Sequence, residues 1–381
     1  MFRSAAALAV VLGHIRLLFF EDYATATHSV INAVLYSLTS MGSQAVIVFF
    51  VLSGYWVGGS VVAKFRSGTF SWADYTGARL TRLWLVLLPA LALTLLLDRV
   101  GVALYPESSV YSSPEQYEGL PANLSYSPST FLGNLAFLQG LHLPIFGSNQ
   151  PLWSLAFEFW YYVLFPCLLA LFWRGGSLRT RIIGGVLSIV SIAVGGPSVL
   201  LLFPVWVFGA VVAAYRGTLS RLLLRIAPVG LAALRAAAVV LIVGASIFAH
   251  EVDLALGLGS IILGAVTAAG IATFVNDVKW RGRADKFLDG ASWTAHSSYS
   301  LYATHMPVVA FAAAMFVPSF SQRLTMSPLS VVGFLAVLSA CCLIAYWFSL
   351  VTERKTEVVR SWLGRLGHKQ TSDPARGDQA T

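Results

Sequence analysis

The sequence predicts an all-α polytopic membrane protein with about ten transmembrane helices and both termini cytoplasmic. Three observations lead there. Of 381 residues, 57% are hydrophobic and only 11% charged, against about 25% charged in soluble domains. The mean hydropathy is +0.74. The apolar residues are gathered into runs near the ~20 residues that cross a hydrocarbon core, with basic residues between them. The runs lie at roughly 3–20, 43–63, 80–98, 152–173, 181–196, 198–214, 235–249, 254–275, 298–317 and 329–351.

The first run carries two costly residues, Arg3 and His14. Their separation turns a helix through about 1100°, within about 20° of three full turns, so both share one face about 16 Å apart. Ionisable groups in a membrane helix usually face a partner or a wet cavity. A snorkelling arginine and a histidine bonded to a neighbouring helix would also explain the pair. For His14, the ability of imidazole to take a proton near neutral pH favours a part in activating a hydroxyl. The second run holds Phe49-Phe50-Val51-Leu52-Ser53-Gly54-Tyr55-Trp56. Its small Ser53-Gly54 pair suits close helix packing, which alone accounts for it.

The third run opens with Arg79 and Arg82, neighbours on one helix face. Paired guanidinium groups suit a phosphate ligand, but taken alone they are better explained by ordinary anchoring to anionic lipid. Segment 99–130 is rich in Ser, Tyr and Pro and contains Glu107, Glu115 and Glu118. It is long enough to cover an opening or meet an acceptor. Segment 131–140 is apolar but too short to span, so it is expected to be re-entrant or interfacial.

The fourth run contains Ser154 and, four residues on, Glu158, which reads as the one carboxylate well inside an apolar span. A lone intramembrane carboxylate is a functional candidate; an ion pair with Arg3 or Arg16 is the structural alternative. The ninth run carries Tyr299, Tyr302 and His305, the last two on one face. They suit bonds to a substrate or to each other.

Orientation follows from the basic residues. With a cytoplasmic N-terminus, all of the 25 lysines and arginines except Arg16, Arg99 and Arg323 fall on the inner side, and the 99–130 loop falls outside. Dispersal of the basic residues between spans excludes nucleic acid as the reason for a pI of about 9.5. Cys167, Cys341 and Cys342 sit in apolar runs with no disulfide or zinc spacing. No metal motif, Walker loop, dinucleotide fingerprint or hydrolase elbow is present. No cleavable signal peptide and no internal repeat are evident.

These motifs, in this order, resemble the acyltransferase-3 family of bacterial membrane O-acyltransferases. The matches are an arginine, ten residues and a histidine (Arg3, His14); FFVLSGY (Phe49 to Tyr55); RLxRLW (Arg79 to Trp84); PLWSLxxE (Pro151 to Glu158); SYSLYxxHxP (Ser298 to Pro307); and a final helix ending at Glu353-Arg354. Each motif alone is weak; six in register are specific. The chain departs from the family in its short lead-in before Arg3, in lacking an Asp before Phe49-Phe50, and in Lys355 where a proline is frequent. The resemblance divides the chain into a transmembrane domain, 1–354, and a basic polar cytoplasmic tail, 355–381. No fused esterase-like domain is expected, so a partner acting on the outer face would be a separate chain.

The resemblance implies transfer of an acyl group, acetyl from acetyl-CoA, to a hydroxyl of a surface polysaccharide, glycolipid or other glycoside at the bacterial inner membrane. Acyl-CoA would be a co-substrate, with no bound cofactor and no metal. His14, Glu158 and Arg3 would be catalytic, with His14 a general base or a covalent acyl carrier and Glu158 orienting it. Arg79 and Arg82 would meet the CoA phosphates. Ser53, Ser154, Tyr299, Tyr302 and His305 would touch substrate. The alternative is a transporter or flippase of a lipid-linked glycan, which also places polar groups among spans but tends to carry inverted repeats and broken helices.

Overall fold

A computed structural model describes residues 2–26, 29–251, 257–275 and 297–362. Among them every regular element is helical. In chain order the α-helices are α1 (Phe2–Phe19), α2 (Val30–Thr39), α3 (Gly42–Ser53), α4 (Gly59–Arg66), α5 (Trp72–Leu104), α6 (Ser109–Ser112), α7 (Pro128–Leu135), α8 (Trp153–Phe172), α9 (Leu178–Ala214), α10 (Arg216–Leu223), α11 (Pro228–Glu251), α12 (Leu258–Ala272), α13 (Ser298–Phe316) and α14 (Pro328–Val351). A π-helical turn, Gly54–Gly58, joins α3 to α4. Serines start several helices by accepting a free backbone N–H of the first turn: Ser71 from Asp74, Ser127 from Thr130, Ser177 from Thr180 and Ser327 from Ser330. Pro128 and Pro328 sit at first-turn positions where no N–H is needed.

Eight of the described helices are long and apolar enough to cross a bilayer, which makes this a multi-pass membrane protein. The sequence predicts ten spans, and the difference has two local causes. First, α12 has only 15 residues among those described, about 23 Å of helix. Second, α9 is a single 37-residue element whose Gly196 is not helical, with φ 65° and ψ −172°. Gly184 lies against Cys167, Ala170 and Leu171 of α8. Trp206 packs on Phe165, 5.0 Å between ring centroids, only two residues from Cys167. On one straight helix Gly184 and Trp206 would be about 33 Å apart. The chain therefore doubles back at Gly196, and the two halves of α9 lie antiparallel, near the predicted 181–196 and 198–214. The positive φ at Gly196 is one that L side chains rarely adopt. The predicted basic loop around Lys279–Lys286 and the tail from residue 363 lie outside the described residues.

The bundle has two faces. One carries the start of α1, the end of α4, the start of α5 and the end of α8; Tyr75 at the start of α5 donates to the Tyr162 carbonyl at 2.8 Å, and Arg66 to the Ala214 carbonyl at 2.9 Å. The opposite face carries the end of α1, the start of α3 and the 105–149 connection. There Arg323 makes a two-pronged bond to Asp22, at 2.8 and 3.1 Å, which holds that carboxyl below its usual range. In lipid no hydrophobic force draws helices together, so contact depends on small residues that let backbones approach. Gly13 of α1 faces Gly42 of α3. A Cβ on Gly54 would overlap the Trp206 carbonyl, and one on Gly209 would overlap the Val51 carbonyl and the Tyr55 N–H. The bundle is wrapped about α13, in which every residue from Ser298 to Ala310 is buried.

Asp98 corrects the reading of Glu158 as the one carboxylate inside a span. It is fully buried near the end of α5 and accepts from the Ser148 N–H at 2.8 Å, the Ser148 hydroxyl at 2.7 Å and the Tyr126 hydroxyl at 3.1 Å. The neighbouring Asn149 donates to Thr94 Oγ1 at 3.1 Å and the Ala303 carbonyl at 2.9 Å. Segment 131–140, expected to be re-entrant or interfacial, forms the end of α7 and a packed loop whose Phe137 stacks on Phe159 at 4.3 Å. Asp98→Ala leaves the two buried donors of Ser148 and the part-buried Tyr126 hydroxyl unanswered and is expected to cost about 3 kcal/mol or more. The melting temperature in detergent should fall, and protease should cut within 139–149; an unchanged melting temperature would refute the fastening role.

Candidate active site

Three cavities lie in series from one face of the bundle to the other. The first, about 700 Å³, is lined by Arg3, Arg79, Arg82 and Arg216, together with Phe2, Tyr55, Trp56, Ser60 and Phe274 among others. The second, about 60 Å³, is lined by Arg3, Val46, Phe49, Ser53, Arg82, Ser154, Glu158, Tyr162, Tyr299 and Tyr302 among others. The third, about 280 Å³, is lined by His14, Arg16, Ser40, Val46, Glu118, Gly119, Gln150, Trp153 and Tyr302 among others. Arg3, Arg82, Leu52, Trp56 and Val57 border both the first and second cavities. Val46 and Tyr302 border both the second and third.

The helical face predicted for Arg3 and His14 thus serves two rooms. Arg3, in the first turn of α1, belongs to the cationic end. His14, three turns on, belongs to the opposite end. Arg79 and Arg82 join Arg3 because α5 begins on the same face as α1. Arg3 and Arg82 lie within electrostatic reach of Glu158 and Glu353. Arg79 stands over the rings of Tyr75 and Tyr162, and its Nε is buried without a partner.

Ser53 is the hub of the middle cavity. Its hydroxyl donates to Glu158 Oε1 at 2.6 Å, accepts from Trp206 Nε1 at 3.1 Å and lies 3.2 Å from the Tyr162 hydroxyl, which itself donates to Glu158 Oε1. The Ser53-Gly54 pair therefore packs helices and also seats a carboxylate. A π-helical turn begins at the next residue, a feature that often marks functional sites. Glu158 does not meet His14: its hydrogen bonds go to Ser53 and Tyr162, and no ion pair to Arg3 or Arg16 forms among the described residues. Two α-helical turns separate the Glu158 level of α8 from the Gln150 end that borders the His14 cavity, which is why the expected contact is out of reach.

His305 is the group against His14. Its Nε2 lies 3.2 Å from His14 Nδ1, and the rings are 5.1 Å apart between centroids. His14 Nδ1 is also 3.0 Å from the Val10 carbonyl. His14 Nε2 makes no hydrogen bond among the described residues. Tyr302 is fixed by Ser154 at 2.5 Å and by the Pro151 carbonyl at 3.0 Å. Its ring meets Phe49 at 5.5 Å. The Tyr299 hydroxyl is buried without a partner. All ten residues singled out in the sequence thus border the three cavities or, for His305, support a residue that does.

Several contributors escape sequence reading. Glu353 accepts from the N–H and hydroxyl of Ser300, each at 3.2 Å, and so ties the end of α14 to the start of α13; its only sequence signal is its place at the close of the last run. Trp206, Val46 and Arg216 carry none, being an aromatic and an aliphatic residue in apolar runs and one arginine among many near span ends. Arg16, an exception to the charge pattern, borders the His14 cavity beside the Tyr36 ring.

The arrangement gathers guanidinium groups at one end, sets at the other an imidazole whose Nε2 makes no hydrogen bond among the described residues, and leaves a narrow polar passage between. Comparison with known proteins gives one match: the family model described as an acyltransferase domain, Acyl_transf_3, matches residues 1–347. No curated protein and no solved structure matches the chain.

Proposed function

The chain belongs to the acyltransferase-3 family and is a membrane acyltransferase; from that premise we propose that it moves an acetyl group from acetyl-CoA to a hydroxyl of a surface polysaccharide, glycolipid or other glycoside, at the bacterial inner membrane with both termini cytoplasmic. The observation that carries this reading is the series of cavities, cationic at one end and holding His14 at the other. Arg3, Arg79 and Arg82, gathered in one cavity, suit the phosphates of CoA. A second cavity of about 60 Å³ suits a slender pantetheine arm and a small acyl group rather than a bulky one. Tyr299, a buried donor without a partner, suits an acceptor atom on that arm.

In the reaction the acceptor hydroxyl enters beside His14. His14 Nε2 takes its proton as the oxygen attacks the thioester carbonyl. The tetrahedral intermediate collapses, the carbon–sulfur bond breaks, and the proton passes to the departing CoA thiolate. Acetyl ends on the acceptor oxygen, and CoA leaves toward the arginines. Glu158, seated by Ser53 and Tyr162, balances the charge of Arg3 and Arg82 and keeps the pair aimed at the passage. Ser154 holds Tyr302, which walls the passage at the acceptor end.

Two measurements test the reading. Membranes given acetyl-CoA labelled in its acetyl group should pass label into a glycan fraction; unlabelled glycan with normal glycan export would point to transport instead. Replacing Arg79 and Arg82 together by Ala should raise the KM for acetyl-CoA by about tenfold or more, since each charged hydrogen bond is worth roughly 1.5–3 kcal/mol. An unchanged donor KM would assign the two arginines to lipid anchoring.

A further inference from the structure

We propose that His305 is a positioning residue that decides which nitrogen of His14 faces the acceptor cavity, a proposal that rests on His14 acting as the base described above. The argument is a count of protons. His305 lies at the centre of α13 with none of its surface exposed. Its Nδ1 is 3.0 Å from the Leu301 carbonyl and 2.8 Å from the Tyr302 carbonyl. A carbonyl oxygen only accepts, so Nδ1 carries the hydrogen. A neutral imidazole has one N–H, which leaves His305 Nε2 with a lone pair. That lone pair is 3.2 Å from His14 Nδ1.

The second neighbour of His14 Nδ1 is the Val10 carbonyl at 3.0 Å, again an acceptor only. Both neighbours therefore call for an N–H at His14 Nδ1. The remaining nitrogen, Nε2, is left unprotonated on the edge of the ring away from α13. Gly119 packs beside the adjacent ring carbon, where a Cβ would come within 3.3 Å of His14 Cδ2. The ring is thus held in the tautomer a general base needs, by two acceptors on one side and a glycine loop on the other.

Catalytic histidines are commonly oriented by a carboxylate. Among the described residues no carboxylate hydrogen-bonds either imidazole. A neutral acceptor orients His14 without cancelling the charge it gains on taking the proton. The imidazolium is then a readier donor to the departing thiolate, which suits a base that must discharge in every turnover. A carboxylate at this depth would also carry a large desolvation cost.

Three replacements separate positioning from packing. In His305→Gln the amide oxygen reaches the place of Nε2 and can accept from His14. In His305→Asn the shorter amide reaches only the place of Nδ1, so the backbone bonds survive but the acceptor is lost. His305→Leu removes both. Labelled acetyl-CoA is supplied to membranes holding the full chain and its endogenous acceptor. His305→Gln should keep most of the apparent kcat, while Asn and Leu should lose about 10²-fold with the KM for acetyl-CoA unchanged. A purely structural role predicts the reverse order, with Asn at least as active as Gln, and that result overturns the proposal.

Nitrogen-15 NMR of the histidine-labelled wild-type protein gives a readout independent of how the variants fold. His14 should show a protonated Nδ1 and a bare Nε2; the opposite tautomer refutes the proposal. His14→Ala separates the two layers. Acetyl transfer that survives in that variant overturns the base reading itself. Loss of transfer there, with equal activity in the Gln and Asn variants, overturns only the role of His305.

Discussion

His14→Ala is expected to abolish acetyl transfer while the protein stays in the membrane at its normal level. A positioned general base contributes about 10²–10⁴-fold, and no second group stands ready to replace it. The other imidazole, on His305, has its Nδ1 committed to two carbonyls and no surface in the cavity. Glu158 belongs to the middle cavity, and Glu118, on the His14 cavity, lies within electrostatic reach of Arg16. The structural cost of the change is small. His14 is partly exposed to the cavity, and its bonds are one to a helix carbonyl and one to His305. The packing of α1 rests instead on Ala7, Val11, Ile15 and Leu18, and on Gly13 against Gly42. Immunoblotting of membranes reports the level, and label transfer reports the activity. A variant with normal level and normal turnover would sink the base assignment.

Gly209→Val is expected to remove the folded protein. At this position α9 touches α3 backbone to backbone, so an added Cβ meets the Val51 carbonyl and the Tyr55 N–H rather than a side chain that can rotate away. Overpacking in a core commonly costs about 1–3 kcal/mol when side chains can give. Here the helices themselves must part, and the expected cost is at the exceptional end, about 4–5 kcal/mol. Separation would also pull Trp206 from Ser53 and loosen the seat of Glu158. Membrane level and a single sharp elution peak in mild detergent should both be lost. Gly244→Ala is the control, because nothing lies within 4 Å of the place its Cβ would take. Equal loss in both variants would assign the defect to helix insertion rather than to this contact.

Much of the fold and the site is legible in the sequence, because membrane chemistry makes polar residues conspicuous. Arg3, His14, Arg79, Arg82 and Glu158 stand out against apolar runs, and each borders the path between the faces. What periodicity cannot convey is which helices are neighbours. Glu158 and His14 look like partners on paper, yet the register of α8 sets Glu158 beside Ser53 on α3, while α13 brings His305 to His14. Gly196 shows another limit: the sequence predicts separate runs at 181–196 and 198–214, while the structure joins them in one helical element that turns back at a non-helical glycine. Val46 and Trp206 are silent in sequence because valine and tryptophan are ordinary in a span. Asp98 was hidden by its place at the edge of a run, where a carboxylate costs little until a loop folds over it.

The partition at Val46, Phe49 and Tyr302 has an electrical consequence. Polar cavities reaching in from both faces carry the conductivity of their surroundings with them, so the voltage across the bilayer drops mainly over the thin apolar layer where they nearly meet. Moving one elementary charge through 100 mV takes about 2.3 kcal/mol. In the proposed reaction the phosphates of the donor remain on the arginine side of that layer; acetyl crosses it one way and the acceptor's proton the other, and since thioester, alcohol, ester and thiol are all uncharged at the reacting centre, no net charge crosses. The energised state of the membrane then neither drives nor brakes delivery of the group. The same layer, with Tyr302 tethered at its hydroxyl, would then stand between the two polar cavities as an insulator.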